Sequence, residues 1–345
     1  MTRGDFDRRL ACRVADRLAG SYPLERTYHE ERFTSEAPDL VARAAVLVES
    51  ETGLQAAGMP EVAVVSRRDW IANNVESFGV LLGHTEEKLV SRATIGSKIA
   101  RRVVAIEVGA VLGMLSSRVL GQYELVLPTA DGNEGDTVLF VGSNVLEMER
   151  RHEFRSDEFR FWVALHECTH RLQFLGVPWL RRYFFELVAT MVDSAVPESG
   201  RMARIVGELR QASRSGNPLV SESGLFGLFA TPSQRATLNR VQALMSLLEG
   251  HGHAVMDRIG ARELMTNEMM SSVLKARRQE PRSAMFMRLV GLEMKLQQYE
   301  LGSAFIAGVD RHAGWKAISR AWEGPAMLPT LEEIENPLLW LERTS

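Results

Sequence analysis

The run His166-Glu167-Cys168-Thr169-His170 has the residue types and the spacing that could do chemistry. Two histidines four residues apart lie on one face of a helix, with about 5–6 Å between their Cβ atoms. Both imidazoles can then reach one metal ion at about 2.0–2.1 Å, the usual zinc–nitrogen distance. Glu167, turned about 100° around the helix, could take a proton from the water that zinc activates. We therefore predict that His166 and His170 bind Zn²⁺ and that Glu167 is a general base.

A catalytic zinc needs a third protein ligand and an open position for water. Glu186 is one candidate, near the spacing used by thermolysin-like enzymes, and Glu249 is the other. Glu249 precedes Gly250 and Gly252 in a helical pattern, where each glycine costs about 1 kcal/mol relative to alanine. Close approach of another helix or of a ligand would explain them. We favour Glu249, and we predict that His253, on the same helical face, is catalytic as an oxyanion donor. It could instead orient a ligand or bind the metal.

The elements that must position these residues are mainly helical. Ser156 as N-cap, followed by Asp157 and Glu158, predicts the start of the metal-bearing helix. Turn residues at Thr129–Gly135 predict a hairpin, and Ser21–Pro38 is expected to be a polar segment between helices. Periodicity predicts helices over Arg9–Leu18, Leu40–Leu54, Asp69–Leu82 and Ala100–Leu120, and strands over Glu61–Ser66, Tyr123–Pro128 and Thr137–Gly142.

These elements predict a mainly α fold with a small β-sheet, of the α+β class. We expect one domain over residues 1–345. Within it, residues 1–58 are a helical extension, residues 59–142 are helices plus the small sheet, and residues 143–345 are the helical metal-binding part. Small residues near one helical face, Gly109, Ala110, Gly113 and Ser117, predict close helix packing.

Composition narrows the function classes. The formal net charge of −3 over 345 residues, with basic residues in scattered pairs, gives no reason to expect a nucleic-acid partner. The two cysteines, Cys12 and Cys168, provide no disulfide framework, which fits a reducing compartment, and Cys168 is expected to be buried filler. No stretch reaches the roughly 18 apolar residues that a membrane span needs. Because no signal-peptide pattern follows Met1, we expect a cytoplasmic chain without a membrane partner.

The sequence around the histidines resembles the type 2 zincin-like metallopeptidases, many of which are associated with deazaflavin-coenzyme biosynthesis. The likeness covers most of the chain from about residue 60 onward. It is carried by Asp69–Phe78, Gly109–Gly113, Ser117–Glu124, Val141–Val145, Glu149–Arg151, Phe159–Phe174, Val177–Arg181, Leu248–His251, Val255–Asp257, Lys295–Gly302, Trp322–Pro325 and Leu328–Ile334.

This resemblance implies a zincin-like helical metalloprotease architecture with a Zn²⁺ cofactor. It implies that His166 and His170 are zinc ligands, Glu167 the base and Glu249 the remaining ligand. Together with the motif, it leads us to predict a zinc-dependent hydrolase whose substrate is a peptide or a small amide. By analogy with zincins, the strand Thr137–Gly142 could be the sheet edge along which an extended substrate lies.

Two other interpretations stay open at this point. In one, the chain is a non-catalytic scaffold whose zinc is closed by four protein ligands, with His253 or Glu186 among them. In the other, the chain is a helical scaffold without metal, and Glu249 lies more than about 6 Å from both histidines, beyond bonding reach.

Overall fold

The computed structural model describes residues 7–90, 97–125, 135–195, 232–278 and 293–345. Most of them are helical, so the prediction of a mainly α fold with a small sheet is confirmed. The first helices are α1 (Arg8–Ala19), α2 (Tyr28–Thr52), α3 (Arg67–Val90), α4 (Ser97–Ser116), α5 (Gly142–His152), α6 (Ser156–Gly176) and α7 (Leu180–Ala195). The later ones are α8 (Pro232–Glu263), α9 (Asn267–Arg278), α10 (Glu293–Ala313), α11 (Leu331–Glu335) and α12 (Pro337–Arg343), with 3₁₀ segments at Trp315–Trp322 and Pro325–Met327.

The sheet has three strands in the order β1-β3-β2: β1 is Glu61–Val65, β2 is Gly121–Leu125 and β3 is Asp136–Val141. β3 pairs with β1 in parallel and with β2 in antiparallel fashion, as a hairpin requires. Most of the predicted hairpin loop, residues 126–134, lies outside the described residues. The prediction that the Thr137–Gly142 strand is a sheet edge is wrong. β3 is hydrogen-bonded on both sides, and its residues from Val138 to Val141 are buried, as expected of a central strand.

Helix α2 begins at Tyr28 and passes through Pro38, so the prediction of a polar segment up to Pro38 is wrong for its second half. Phe33, Ala37 and Val41 lie on one face of this helix and are almost fully buried. The ring of Phe33 packs edge-on against Phe140 of β3, with 5.3 Å between ring centroids. Burial of this stripe therefore outweighs the backbone hydrogen bond that a proline inside a helix removes.

Contacts group the described residues of Met1–Pro178 and Val255–Val273 into one compact unit. Its core includes Ala11, Ala15 and Ala19 of α1 packed with residues of α3 and α4. A Cβ added at Gly109 would lie 2.4 Å from the carbonyl oxygen of Ala11, and one at Gly113 would lie 2.6 Å from that of Ala15. The prediction that these small residues permit close helix packing is therefore confirmed, and the partner is α1.

The described residues of Trp179–Ala254 and Leu274–Ser345 form a second compact unit. In it Trp340 is fully buried, packs edge-on against Phe305 at 5.4 Å, and donates its indole N–H to the carbonyl of Met327 at 2.8 Å. The prediction of one domain over residues 1–345 stays a prediction. None of the helices in the described ranges is both long enough and apolar enough to cross a membrane.

Candidate metal centre

Helix α6 carries the His166–His170 run in a largely buried setting. Glu167 is 4% exposed and Cys168 is fully buried, whereas His166 and His170 are half-buried. The helix begins at Ser156, which is its first residue rather than the predicted N-cap; the Ser156 hydroxyl donates to Glu149 at 2.8 Å. The two imidazoles therefore line the accessible side of an otherwise enclosed helix.

Buried arginines hold α6 at both ends of the run. Near its start, Arg160 donates to both oxygens of Glu149 at 2.8 and 3.0 Å and to Glu36 of α2 at 2.9 Å. Directly after His170, Arg171 donates to the two oxygens of Asp136, the first residue of β3, with a shortest distance of 2.7 Å. Such paired guanidinium–carboxylate contacts fix direction as well as distance. The histidines are thus presented by a helix tied to the sheet.

The two histidines face each other. The Nε2 atoms of His166 and His170 are 3.1 Å apart, and the rings are nearly perpendicular, at 81°. The other ring nitrogen of His170, Nδ1, lies 2.8 Å from Oε1 of Gln173 on the next turn. With Nδ1–H donating to that oxygen, Nε2 of His170 keeps its lone pair for a metal ion. The fully buried Gln173 is therefore placed to favour the tautomer that leaves the Nε2 lone pair of His170 available.

Three predicted residues, His166, Glu249 and His253, belong to one group that could hold a metal ion. Each offers one ligand atom, an imidazole nitrogen or a carboxylate oxygen. His170 is not a member of this group, although its Nε2 lies beside that of His166. Glu249 is half-buried and His253 is 8% exposed, so two donors of this group are partly shielded from solvent.

Glu249 and His253 lie on α8, one turn apart. The end of that helix, from Val255 onward, belongs to the same compact unit as α6. There, Glu51 of α2 accepts hydrogen bonds from Arg258 and Arg262, each at 2.6 Å. Burial raises the pKa of the Glu51 carboxyl, but the hydrogen bonds from the two arginines lower it further, so that the pKa falls below its ordinary value.

Lack of space for a side chain explains the glycine next to Glu249. A Cβ added at Gly250 would lie 2.3 Å from the backbone carbon of Gly302 on α10, so the two helix backbones touch. Close approach of another helix is thus the explanation that applies at Gly250. The neighbouring His251 is 2% exposed and stacks on Trp315 at 5.7 Å, with Trp322 edge-on at 5.3 Å. His251 is therefore part of the packing of α8.

The buried carboxylate of Glu167 lies against the sheet. A Cβ added at Gly121, the first residue of β2, would be 2.7 Å from both Cγ and Oε1 of Glu167. The backbone of Gly121 therefore forms one wall of the space that the predicted base occupies.

Within the described part of the chain, Glu186 and Cys168 are not members of the candidate metal group. Glu186 is exposed and accepts a hydrogen bond from Arg182, one turn earlier, at 2.8 Å. It is not in the candidate metal group found among the described residues. Cys168 points its thiol at the carbonyl of Val41, 3.7 Å away, and burial raises its pKa to about 12. A thiol that stays protonated in this way is packing rather than a nucleophile.

Gln173 and Gly121 are the two residues that the sequence did not single out. Gln173 follows His170 by three positions, so the helical period alone could have identified it as a neighbour. Gly121 has no such signal, because its approach to Glu167 joins residues far apart in the chain.

Comparisons with known proteins identify the family of the chain. A model of the zincin-like metallopeptidase family matches residues 6–341, so the chain belongs to that family and is a hydrolase. Among solved structures, it is similar to a chain from Chloroflexus aurantiacus described as a "putative hydrolase with a novel fold". The two are 29% identical over 98% of each chain, with a TM-score of 0.69. No curated protein matches the chain. The predicted family is confirmed.

Proposed function

We propose that the chain is a zinc-dependent hydrolase that cleaves a peptide or small amide bond. The observation that carries this proposal is the pair of facing histidines on α6, His166 and His170, beside the buried Glu167. Glu249 and His253 belong with His166 to a group that could hold a metal ion. Imidazole nitrogen and carboxylate oxygen are the donors that catalytic zinc sites use. The 3.1 Å between the Nε2 atoms of His166 and His170 is close to the roughly 3.3 Å expected of two nitrogens on one tetrahedral zinc.

In this proposal His166, His170 and Glu249 hold the zinc. Zinc bound there supplies a Lewis acid that polarises the scissile carbonyl and makes water a nucleophile near neutral pH. The carboxylate of Glu167 takes a proton from the water as the water oxygen bonds to the carbonyl carbon. Glu167 then gives the proton to the leaving nitrogen as the carbon–nitrogen bond breaks, which yields a carboxylic acid and an amine. At neutral pH the acid loses its remaining proton to the amine or to solvent. A His253 N–H donates to the carbonyl oxygen as that oxygen gains charge.

The edge strand β2 gives an extended substrate a place to pair. The N–H of Val141 donates to the carbonyl of Leu120 at 2.9 Å, in register with the antiparallel pairing of Gly121 opposite Phe140. Because bonded and non-bonded pairs alternate in such a ladder, the peptide groups of Gly121 point away from β3. Strand addition at this edge would bring a peptide bond next to the carboxylate that lies against Gly121.

Replacing Glu167 by glutamine tests the proposal. We expect the wild-type chain, purified without chelator, to contain about one zinc and to hydrolyse some members of a library of internally quenched peptides and acyl anilides. E167Q should keep its zinc and lose at least about 10²-fold in kcat, since the proton acceptor is gone. The matched control is E186Q, which replaces an exposed glutamate. Its zinc content and kcat should equal those of the wild type. A zinc-free wild-type chain, or full activity in E167Q, would contradict the proposal.

The position of His253 favours a second candidate function. Because His253 belongs to the same candidate metal group as His166 and Glu249, four protein ligands, with His170 as the fourth, could close the metal site. A closed site has no position for water and would stabilise a binding or scaffold protein without turnover. The H253A variant separates the two functions. If His253 is an oxyanion donor, H253A lowers kcat and leaves zinc bound. If His253 is a fourth ligand, H253A lowers zinc affinity in a chain that has no hydrolytic activity.

A further inference from the structure

The backbone conformation at Gly121 does not require a glycine. Its φ lies outside the left-handed range, in contrast to those of Gly20, Gly53 and Gly58. An ordinary L residue can therefore adopt the backbone conformation at position 121. What a side chain would meet is Glu167: an added Cβ would be 2.7 Å from Cγ, 2.7 Å from Oε1 and 2.9 Å from Cδ. These are the three nearest atoms, and all of them belong to the predicted base.

The elements on either side of this contact are held to the same strand. Helix α6 is bound to Asp136 of β3 through Arg171, and β2 pairs with β3 from Leu125 back to Gly121. Neither backbone can retreat without breaking buried ion pairs or ladder hydrogen bonds. We therefore expect a methyl group at position 121 to be accommodated by rotation of the Glu167 side chain, because side-chain torsions change more easily than either backbone.

We propose that Gly121 is a positioning residue: its missing side chain lets the Glu167 carboxylate lie against β2, in the orientation from which it moves the proton. This inference rests on the proposed function. It identifies the strand backbone as a steric limit on the rotation of the base. A shift of about 1 Å in a reacting group is enough to lower a rate by about 10²-fold.

The activity test compares G121A with G142A. Gly142 directly follows β3, and a Cβ there would lie 2.7 Å from Cγ1 of Val64, so its crowding is similar but does not involve Glu167. In the zinc-loaded chain we expect G121A to lower kcat at least about tenfold with KM changed less than about threefold, because substrate and metal contacts are untouched. G142A should keep kcat near wild type. Equal kcat values for the two variants would overturn the inference.

A second test needs no activity. The melting temperature is measured for the wild type, G121A, E167A and G121A/E167A. We expect G121A to lower Tm in the wild-type background and to have little effect once Glu167 is shortened, since the clash has been removed. If G121A alone fails to fold, the double variant should fold. Additive changes in Tm would overturn the inference, whereas a wild-type chain that hydrolyses nothing would contradict only the proposed function.

A crystal structure of G121A completes the design. We expect the carboxylate of Glu167 to be rotated away from β2, with the backbones of α6 and β2 unchanged. A carboxylate left in its original place, beside a displaced strand, would show that the strand gives way rather than the base, and the inference would be wrong.

Discussion

The two helices that carry the candidate ligands are tied down by the same kind of contact, but the burial of the partners is reversed. On α6 the arginine is the buried member: the side chain of Arg171 is 1% exposed and that of its partner Asp136 is 26% exposed. On α8 the carboxylate is buried instead. Glu51 is 9% exposed, whereas its partners Arg258 and Arg262 are 39% and 54% exposed.

This difference predicts how firmly each helix is held. A guanidinium stays charged at any pH that a protein tolerates, so a buried one depends entirely on its partners. Arg258 and Arg262 can return to water when their partner is lost, and pairs that are partly exposed contribute little. We therefore expect α6, which bears two histidines and the predicted base, to be held more strongly than the end of α8.

Removing the guanidinium of Arg171 should have the largest effect on stability. R171M leaves Asp136 without its bidentate partner and removes hydrogen bonds to the carbonyls of Ala57 and Gly58, at 3.2 and 3.0 Å. We expect a loss of about 3 kcal/mol in the free energy of unfolding, at the low end for a broken buried pair because Asp136 retains some solvent. Urea unfolding measures this.

The control for R171M is R182M, which removes an exposed arginine paired with Glu186 one turn away. It should unfold at the same urea concentration as wild type, since exposed ion pairs contribute little. If the two variants unfold alike, burial of the cation is not what holds α6, and the comparison between the helices fails.

A smaller change tests whether α6 also fixes the direction of a ligand. Q173L removes the oxygen that accepts from Nδ1 of His170, so the imidazole can rotate or change tautomer. We expect zinc affinity, measured by competition with a chromophoric chelator, to fall about 10- to 100-fold. Q173E keeps an acceptor oxygen and should retain most of the affinity. Wild-type affinity in Q173L would mean that the position of the helix alone is sufficient.

The sequence predicts the features that depend on neighbours along the chain. The four-residue spacing of His166 and His170, and the placement of Glu167 beside them, follow from the helical period. Helical patterning likewise predicts the fold class, since the apolar period of an amphipathic helix is present in neighbouring residues. The family resemblance adds no geometry of its own.

Features that depend on distant parts of the chain could not be predicted in this way. Pro38 argues for a break in α2, and only burial of the stripe that includes Phe33 explains why the helix continues. The central place of β3 depends on pairing with β1, which no local pattern records. The glycines around Glu249 favour it as a ligand, yet Gly250 is explained by contact with Gly302 of α10. The sequence pattern predicts a close contact at Gly250 but not its partner.

The smallest expected effect concerns the buried carboxylate that binds α8. E51Q removes the charge that Arg258 and Arg262 share, and we expect a loss of about 1 kcal/mol at pH 7, because both arginines can regain water. The pKa of Glu51 is lowered from 4.5 in the folded chain, so its contribution is complete above that pH and is lost as the pH falls below it. The gap between E51Q and wild type should therefore close on acidification. Urea unfolding of the chelator-treated chain at several pH values checks this without interference from zinc. A loss of free energy of unfolding equal to that of R171M, or one that grows in acid, would contradict the reversed burial of the ion pairs that hold α6 and α8.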